Sequence, residues 1–148
     1  NIGDPPDVSG WKAYYQMPQF YEIWINSDTL PKRNQFSDTM IVSGYTFNSK
    51  KIQIDGVAVA KSLSSPSDPN KLIDELCKKM LRVDISLASK NQLKTDILLG
   101  GQSTDFYWTD AWTLFLSTPT NTSNTTTVKN RLRDLIKYLM NLPEYQLA

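Results

Sequence analysis

The strongest constraint on the fold is a pair of segments in which apolar residues recur every three or four positions. One segment is Pro69–Leu81 and the other runs from about Thr126 to Asn141. This spacing is that of one face of an α-helix, with charged residues on the opposite face. Helices of about 13 residues are not stable singly in water, so the two stripes must pack against other helices. The stripes consist of Leu72, Ile73, Leu76, Cys77, Met80 and Leu81 in the first segment, and of Val128, Leu132, Leu135, Ile136 and Leu139 in the second.

Capping and helix-stopping residues predict further helices around these two. Helix starts are expected at Ser27 or Asp28, at Asp55, at Ser67 or Asp68, at Ser86, and at Thr104 or Asp105. The corresponding helices end near Val42, Leu63, Leu81, Leu99 and Leu116. In the first of them, Leu30, Phe36 and Met40 are the predicted apolar face. Tyr45–Ile54 alternates only weakly, which is compatible with a short extended segment; because one such segment cannot make a sheet alone, we expect irregular structure lying across helices. Thr118–Thr127 predicts a flexible polar loop.

The sequence therefore predicts an all-α fold, an irregular bundle of about five to seven helices with an extended, aromatic-rich N-terminal segment. The chain of 148 residues is long enough to bury roughly two thirds of its unfolded surface, which favours a single helical domain over 1–148. Within it, residues 1–44 hold the aromatic-rich segment and the first helices. Residues 45–68 are an irregular connection, and residues 69–148 form the bundle proper.

The composition excludes several kinds of active site. The chain has no histidine, which removes Ser-His-Asp and Cys-His arrangements and histidine zinc sites. A single cysteine, Cys77, excludes an internal disulfide and a CxxC metal site. With 16 basic against 15 acidic residues, nucleic acid is not the expected partner, and no apolar run approaches the roughly 20 residues of a transmembrane helix. No catalytic constellation is evident, and we expect neither a metal nor a cofactor.

Three segments carry a family resemblance. They are GDPPDVSGW (Gly3–Trp11), WINSDTLPKR (Trp24–Arg33) and LPEYQLA (Leu142–Ala148). Together they resemble the C-terminal end of the bacterial family called domain of unknown function 1800, which brings no established activity. The resemblance implies that the chain is roughly the last third of a longer exported protein in the periplasm or cell envelope of a Gram-negative bacterium. The remaining N-terminal part of that protein is then the first expected partner.

Five residues are candidates for a binding site, namely Trp11, Trp24, Asn26, Asp28 and Arg33. Tryptophan rings offer a face to a sugar or a protein, and an arginine can donate two hydrogen bonds to a carboxylate or a phosphate. A structural role is the favoured alternative for each candidate. The rings then pack in a core or on the parent protein, Asp28 caps its helix, and Arg33 binds a carboxylate or a backbone carbonyl.

Two functions follow from these residues. The first is a non-catalytic C-terminal helical module that packs on the parent protein and presents an aromatic surface to an envelope protein or a glycan. The alternative is a part of the active site of a larger cell-envelope enzyme acting on carbohydrate, with the five candidates lining that site. Convergence of Asn26, Asp28 and Arg33 on an open concavity would favour the enzyme.

Overall fold

Helices account for most of the residues that the computed structural model describes, which are residues 27–146. The prediction of an all-α bundle is confirmed for this range, while the aromatic-rich N-terminal segment lies outside it. A β-hairpin follows the first helix, and a π-helical turn, Lys94–Leu98, continues the fourth. In chain order the elements are α1 (Thr29–Val42), β1 (Tyr45–Phe47), β2 (Lys50–Ile52), α2 (Gly56–Lys61), α3 (Pro69–Met80), α4 (Leu87–Leu93), α5 (Phe106–Ser117), α6 (Thr122–Asn141) and α7 (Pro143–Gln146).

Short polar side chains start four of these helices. Asp55, Asp68, Ser86 and Asn121 each accept a hydrogen bond from one or two backbone N–H groups in the first turn of α2, α3, α4 and α6, respectively. Such caps satisfy amides that have no partner within the helix. Asp55 and Ser86 were predicted as caps and Asp68 was one of two predicted alternatives, with Ser67; all three begin their helices where expected.

The Asn121 cap overturns one prediction. It begins α6 at Thr122, so the second half of the polar stretch Thr118–Thr127 is helical rather than a flexible loop. Ser, Thr and Asn are weak helix formers in a helix interior, but the same residues are strong caps. The resulting helix of 20 residues is about 30 Å long.

The long helix α6 is the centre of the fold, and it contacts α1, α2, α3, α5, α7 and the π-helical turn. The predicted stripe of α6 is buried throughout, as is most of the α3 stripe. Within residues 27–146, no helix combines the length and the apolar character needed to cross a bilayer. The main core consists chiefly of Leu72, Ile73, Leu76, Cys77, Leu98, Leu99, Trp108, Trp112, Val128, Leu132, Leu135 and Leu139.

A smaller apolar cluster attaches α1 to α6. Ile41 packs there with Ile136 and Met140, and all three are buried. Phe36, predicted to face the core, is instead 61% exposed, while its neighbour Ser37 is buried. The predicted apolar face of α1 was therefore wrong at Phe36, because α6 covers the face that carries Ser37 and Ile41.

The connection predicted as irregular contains the β-hairpin. Tyr45 pairs with Ile52 and Phe47 with Lys50 in antiparallel register. The two loop residues, Asn48 and Ser49, have φ values of 48° and 61°. Positive φ at both central positions is what a tight two-residue hairpin loop requires, because its twist then matches that of the strands.

Candidate functional site

The structure describes two of the five predicted binding residues, Asp28 and Arg33, whereas Trp11, Trp24 and Asn26 lie outside the described residues. Asp28 immediately precedes α1, but its carboxylate makes no capping hydrogen bond there. It forms an ion pair with Lys32, one turn further along the helix, at 2.8 Å. The capping role predicted for the Asp28 side chain is therefore not seen.

Arg33 binds the C-terminal end of the described chain. Its Nη2 atom donates a hydrogen bond to the backbone carbonyl of Gln146 at 2.9 Å, across 113 positions of sequence. The buried side chain of Gln146 in turn donates from Nε2 to the carbonyl of Met140 at 2.7 Å. Arg33 therefore takes the structural role of a carbonyl contact, and it joins two of the three segments that carry the family resemblance.

A second polar contact fixes α1 against α6. Asn141 donates from Nδ2 to Asp38 Oδ1 at 2.9 Å, and Lys137 forms an ion pair with the other carboxylate oxygen of Asp38 at 3.2 Å. Asp28 and Arg33 are thus engaged with different partners, Lys32 on α1 itself and Gln146 on α7. Within residues 27–146, no hydrogen bond or ion pair joins these two side chains to each other.

The β-hairpin presents the most exposed apolar surface near α1, and we call residues 45–52 the hairpin arm. Tyr45, Phe47 and Ile52 are 51%, 60% and 55% exposed, respectively. Directly opposed residues of a hairpin share a face, and so do alternate residues of one strand. The pairing therefore places these three side chains, together with Lys50, on one face of the arm. That face was missed from the sequence; its signal was the Asn48-Ser49 loop between Tyr45–Phe47, where apolar and polar residues alternate, and Lys50–Ile52.

A cleft of about 430 Å³ lies between α4 with its π-helical turn and the C-terminal end of the chain. Three carboxylates line it, those of Asp84, Asp96 and Glu144, together with the ring of Tyr138 and the amide of Gln92. The Oε2 atom of Glu144 is buried and has no hydrogen-bond partner among the described residues. Among the described residues that line this cleft none is cationic, so their chemistry favours neutral or cationic ligands.

An ion-pair network beside the cleft holds α4 against α3. Lys90, whose side chain is only 13% exposed, pairs with Asp74 at 2.9 Å and with Asp84 at 2.7 Å. These two carboxylates raise the pKa of Lys90. Hydrogen bonds from Lys78 and Lys90 lower the pKa of Asp74 to about 2. Lys90 and Asp74 therefore both stay charged at neutral pH, and their ion pair holds α4 against α3. A lysine with a raised pKa is poorly suited to act as a base or a nucleophile.

Cys77 and the two tryptophans of α5, Trp108 and Trp112, belong to the core. Burial raises the pKa of the Cys77 thiol to about 11, and the side chain is 1% exposed. The indole of Trp108 is fully buried, donates from Nε1 to the carbonyl of Pro66 at 2.8 Å, and packs on Trp112. These groups therefore form neither a reactive thiol nor a recognition surface.

Comparisons with protein-family models, with curated proteins and with solved structures found no match. In the part of the chain that the structure describes, no group of three or more Cys, Asp or Glu side chains is placed to hold a metal ion. What the chain does must therefore be inferred from its own side chains.

Proposed function

We propose that this chain is a non-catalytic helical module of an exported bacterial protein, and that it attaches to a partner through the apolar face of the hairpin arm. The observation that carries the proposal is the exposure of Tyr45, Phe47 and Ile52 on one face, each by more than half. Large aromatic and aliphatic side chains in a shared, uncovered position are typical of interaction surfaces.

The size of this surface is compatible with attachment to a partner. Side chains of this kind bury on the order of 150–250 Å² each, so the exposed fractions amount to roughly 300 Å² in one patch. That value is comparable with the largest apolar patch of a typical monomer, which is often functional. An isolated two-stranded hairpin is also only marginally stable, so a partner on this face would stabilise the arm.

The expected location of the module is the periplasm or cell envelope of a Gram-negative bacterium. This part of the proposal is supported by the resemblance of residues 3–11, 24–33 and 142–148 to the family called domain of unknown function 1800. The remainder of the parent protein, another envelope protein and a glycan are the partners that this resemblance and the aromatic residues suggest. The contact between Arg33 and Gln146 supports a structural use of two of these segments.

The alternative function, a contribution to the active site of a larger envelope enzyme, has less support. It relied on Asp28 and Arg33 pointing together into a concavity, together with Asn26 and the two tryptophans. Arg33 instead donates to a backbone carbonyl, and the Asp28 carboxylate pairs with Lys32. Neither arrangement leaves a convergent pair of groups for acid–base chemistry.

Site-specific photocrosslinking in the cells that produce the protein tests the proposal. A benzophenone amino acid replaces Phe47, and the matched control replaces Phe106 at the start of α5. The two phenylalanines are 60% and 62% exposed, so they differ in position and hardly in accessibility. A discrete adduct at position 47, whether to a protein, a glycan or a lipid, and none at position 106 supports attachment through the hairpin arm. Equal labelling at both positions, or none at either, would contradict it.

A further inference from the structure

The hairpin arm combines apolar and cationic side chains in a stretch of sequence without acidic ones. No Asp or Glu occurs between Asp38 and Asp55. Lys50 and Lys51 lie at the start of β2, both are exposed, and neither forms an ion pair with any residue of 27–146. The whole chain carries a formal net charge of only +1, so this positive charge is a local feature of the arm.

The distribution of these side chains follows from the register. Lys50 lies opposite Phe47 on the apolar face, and Lys51 lies opposite Thr46 on the other face. All six strand residues are exposed. An exposed apolar element flanked by lysines resembles the elements that lie in a lipid headgroup region, where long cationic side chains reach outward to phosphates.

We infer that the hairpin arm binds an anionic lipid surface, with Tyr45, Phe47 and Ile52 entering the headgroup boundary and the lysines contacting lipid phosphates. The inference rests on the proposed function, since it names the partner of the same face. A lipid surface is favoured over a protein because Lys50 and Lys51 place positive charge beside the apolar side chains and form no ion pair within residues 27–146, which matches a negatively charged surface. Tyrosine and phenylalanine beside lysine also match the chemistry of the interface, which is apolar below and negatively charged above.

Sedimentation with vesicles tests this inference on the purified chain. The probes are vesicles of phosphatidylcholine alone and vesicles containing equal parts of phosphatidylcholine and phosphatidylglycerol. We expect binding to the anionic vesicles only, and weaker binding at high salt. Replacing both Lys50 and Lys51 by Ala should lower the partition coefficient about 25-fold, at about fivefold for each lysine. Phe47→Ala should lower it about tenfold.

Two matched controls separate the arm from general charge and exposure. Replacing Lys71 and Lys79, two exposed lysines of α3, by Ala changes the net charge by the same two units. Phe106→Ala removes a phenylalanine of nearly equal exposure. Both controls should bind the anionic vesicles like the unmodified chain, and circular dichroism should show all variants folded.

The outcomes distinguish the lipid inference from the proposed function. Absence of vesicle binding, with crosslinking to a protein at position 47 in cells, overturns the lipid inference and leaves the proposed function standing. Equal loss of binding in the α3 lysine control and the arm lysine variant also overturns the lipid inference, because attraction would then follow total charge. Absence of both vesicle binding and crosslinking removes both proposals.

Discussion

Gly44, at the junction of α1 and β1, offers a sharp test of how the hairpin arm is held. Its φ is +75°, and a Cβ at this position would lie 2.9 Å from the carbonyl oxygen of Ile52 and 2.7 Å from Cε of Lys51. The lysine side chain can move aside, but the carbonyl oxygen belongs to the end of β2. Gly44→Ala therefore combines an unfavourable left-handed backbone with a contact that only a shift of the hairpin relieves.

Gly101 provides the matched control. Its φ is +83°, and no atom lies within 4 Å of the position that a Cβ would occupy. Gly101→Ala therefore isolates the cost of the left-handed conformation, which is about 1–2 kcal/mol. We expect urea unfolding, monitored by far-ultraviolet circular dichroism, to show that Gly101→Ala lowers the free energy of unfolding by this amount.

Gly44→Ala should lower the global free energy of unfolding by less than Gly101→Ala does, although the local strain at Gly44 is greater. The strands of the arm bury none of their side chains, so the arm can detach without exposing the core. The global loss is then limited to the small free energy that holds the arm in place. Hydrogen exchange should show lost protection at the hairpin amides and at Ile54, whose N–H donates to the carbonyl of Met40 at 2.9 Å. The reasoning is refuted if Gly44→Ala costs more global stability than Gly101→Ala while those amides stay protected.

Three further predictions concern the helical body. Cys77 should resist thiol reagents at pH 8 in the folded chain and react fully in urea, because burial raises its pKa to about 11; fast labelling without urea would contradict this. Asp74 has a folded-state pKa of about 2 against an ordinary 3.8, so its stabilising effect is complete above pH 4 and disappears as the pH falls through 2. The difference in unfolding free energy between the unmodified chain and Asp74→Asn should close over that range, and a constant difference would argue against the ion pairs. Trp108→Phe should lower the free energy of unfolding, measured in urea, by about 2–3 kcal/mol, because it leaves a cavity and an unpaired Pro66 carbonyl. Trp112→Phe should lower it by less. Equal losses for the two variants would show that the indole hydrogen bond of Trp108 adds nothing to stability.

The helical body could be predicted from the sequence because its signals are local. The stripe of α3 repeats every three or four residues, and Asp68 with Pro69 marks its start. Both features act within one or two turns of a helix, so neither depends on the rest of the fold. The same reasoning explains the error at Asn121, where a run of short polar residues was interpreted from its average composition rather than from its ability to cap.

The hairpin arm and the face of α1 were missed because their signals are weak or distant. Each strand has three residues, too few for alternation to stand out, and the Asn48-Ser49 loop lacks the glycine usual in such turns. The orientation of α1 depends on contacts with residues about a hundred positions away, Ile136 with Ile41 and Gln146 with Arg33. No periodicity within a single segment contains that information.

The contacts at the base of the arm explain why it is suited to binding. Gln53 donates from Nε2 to the carbonyl of Val42 at 2.9 Å, and the Ile54 amide bonds to Met40, so the chain after β2 is fixed to the end of α1. Arg33 and Asp38 fix α1 in turn to α7 and α6. The arm therefore has a rigid base and a fixed loop geometry, while its strands touch little of the body. Because the base is anchored, a partner that orders the strands on binding costs the arm less conformational entropy than it would cost a segment free at both ends.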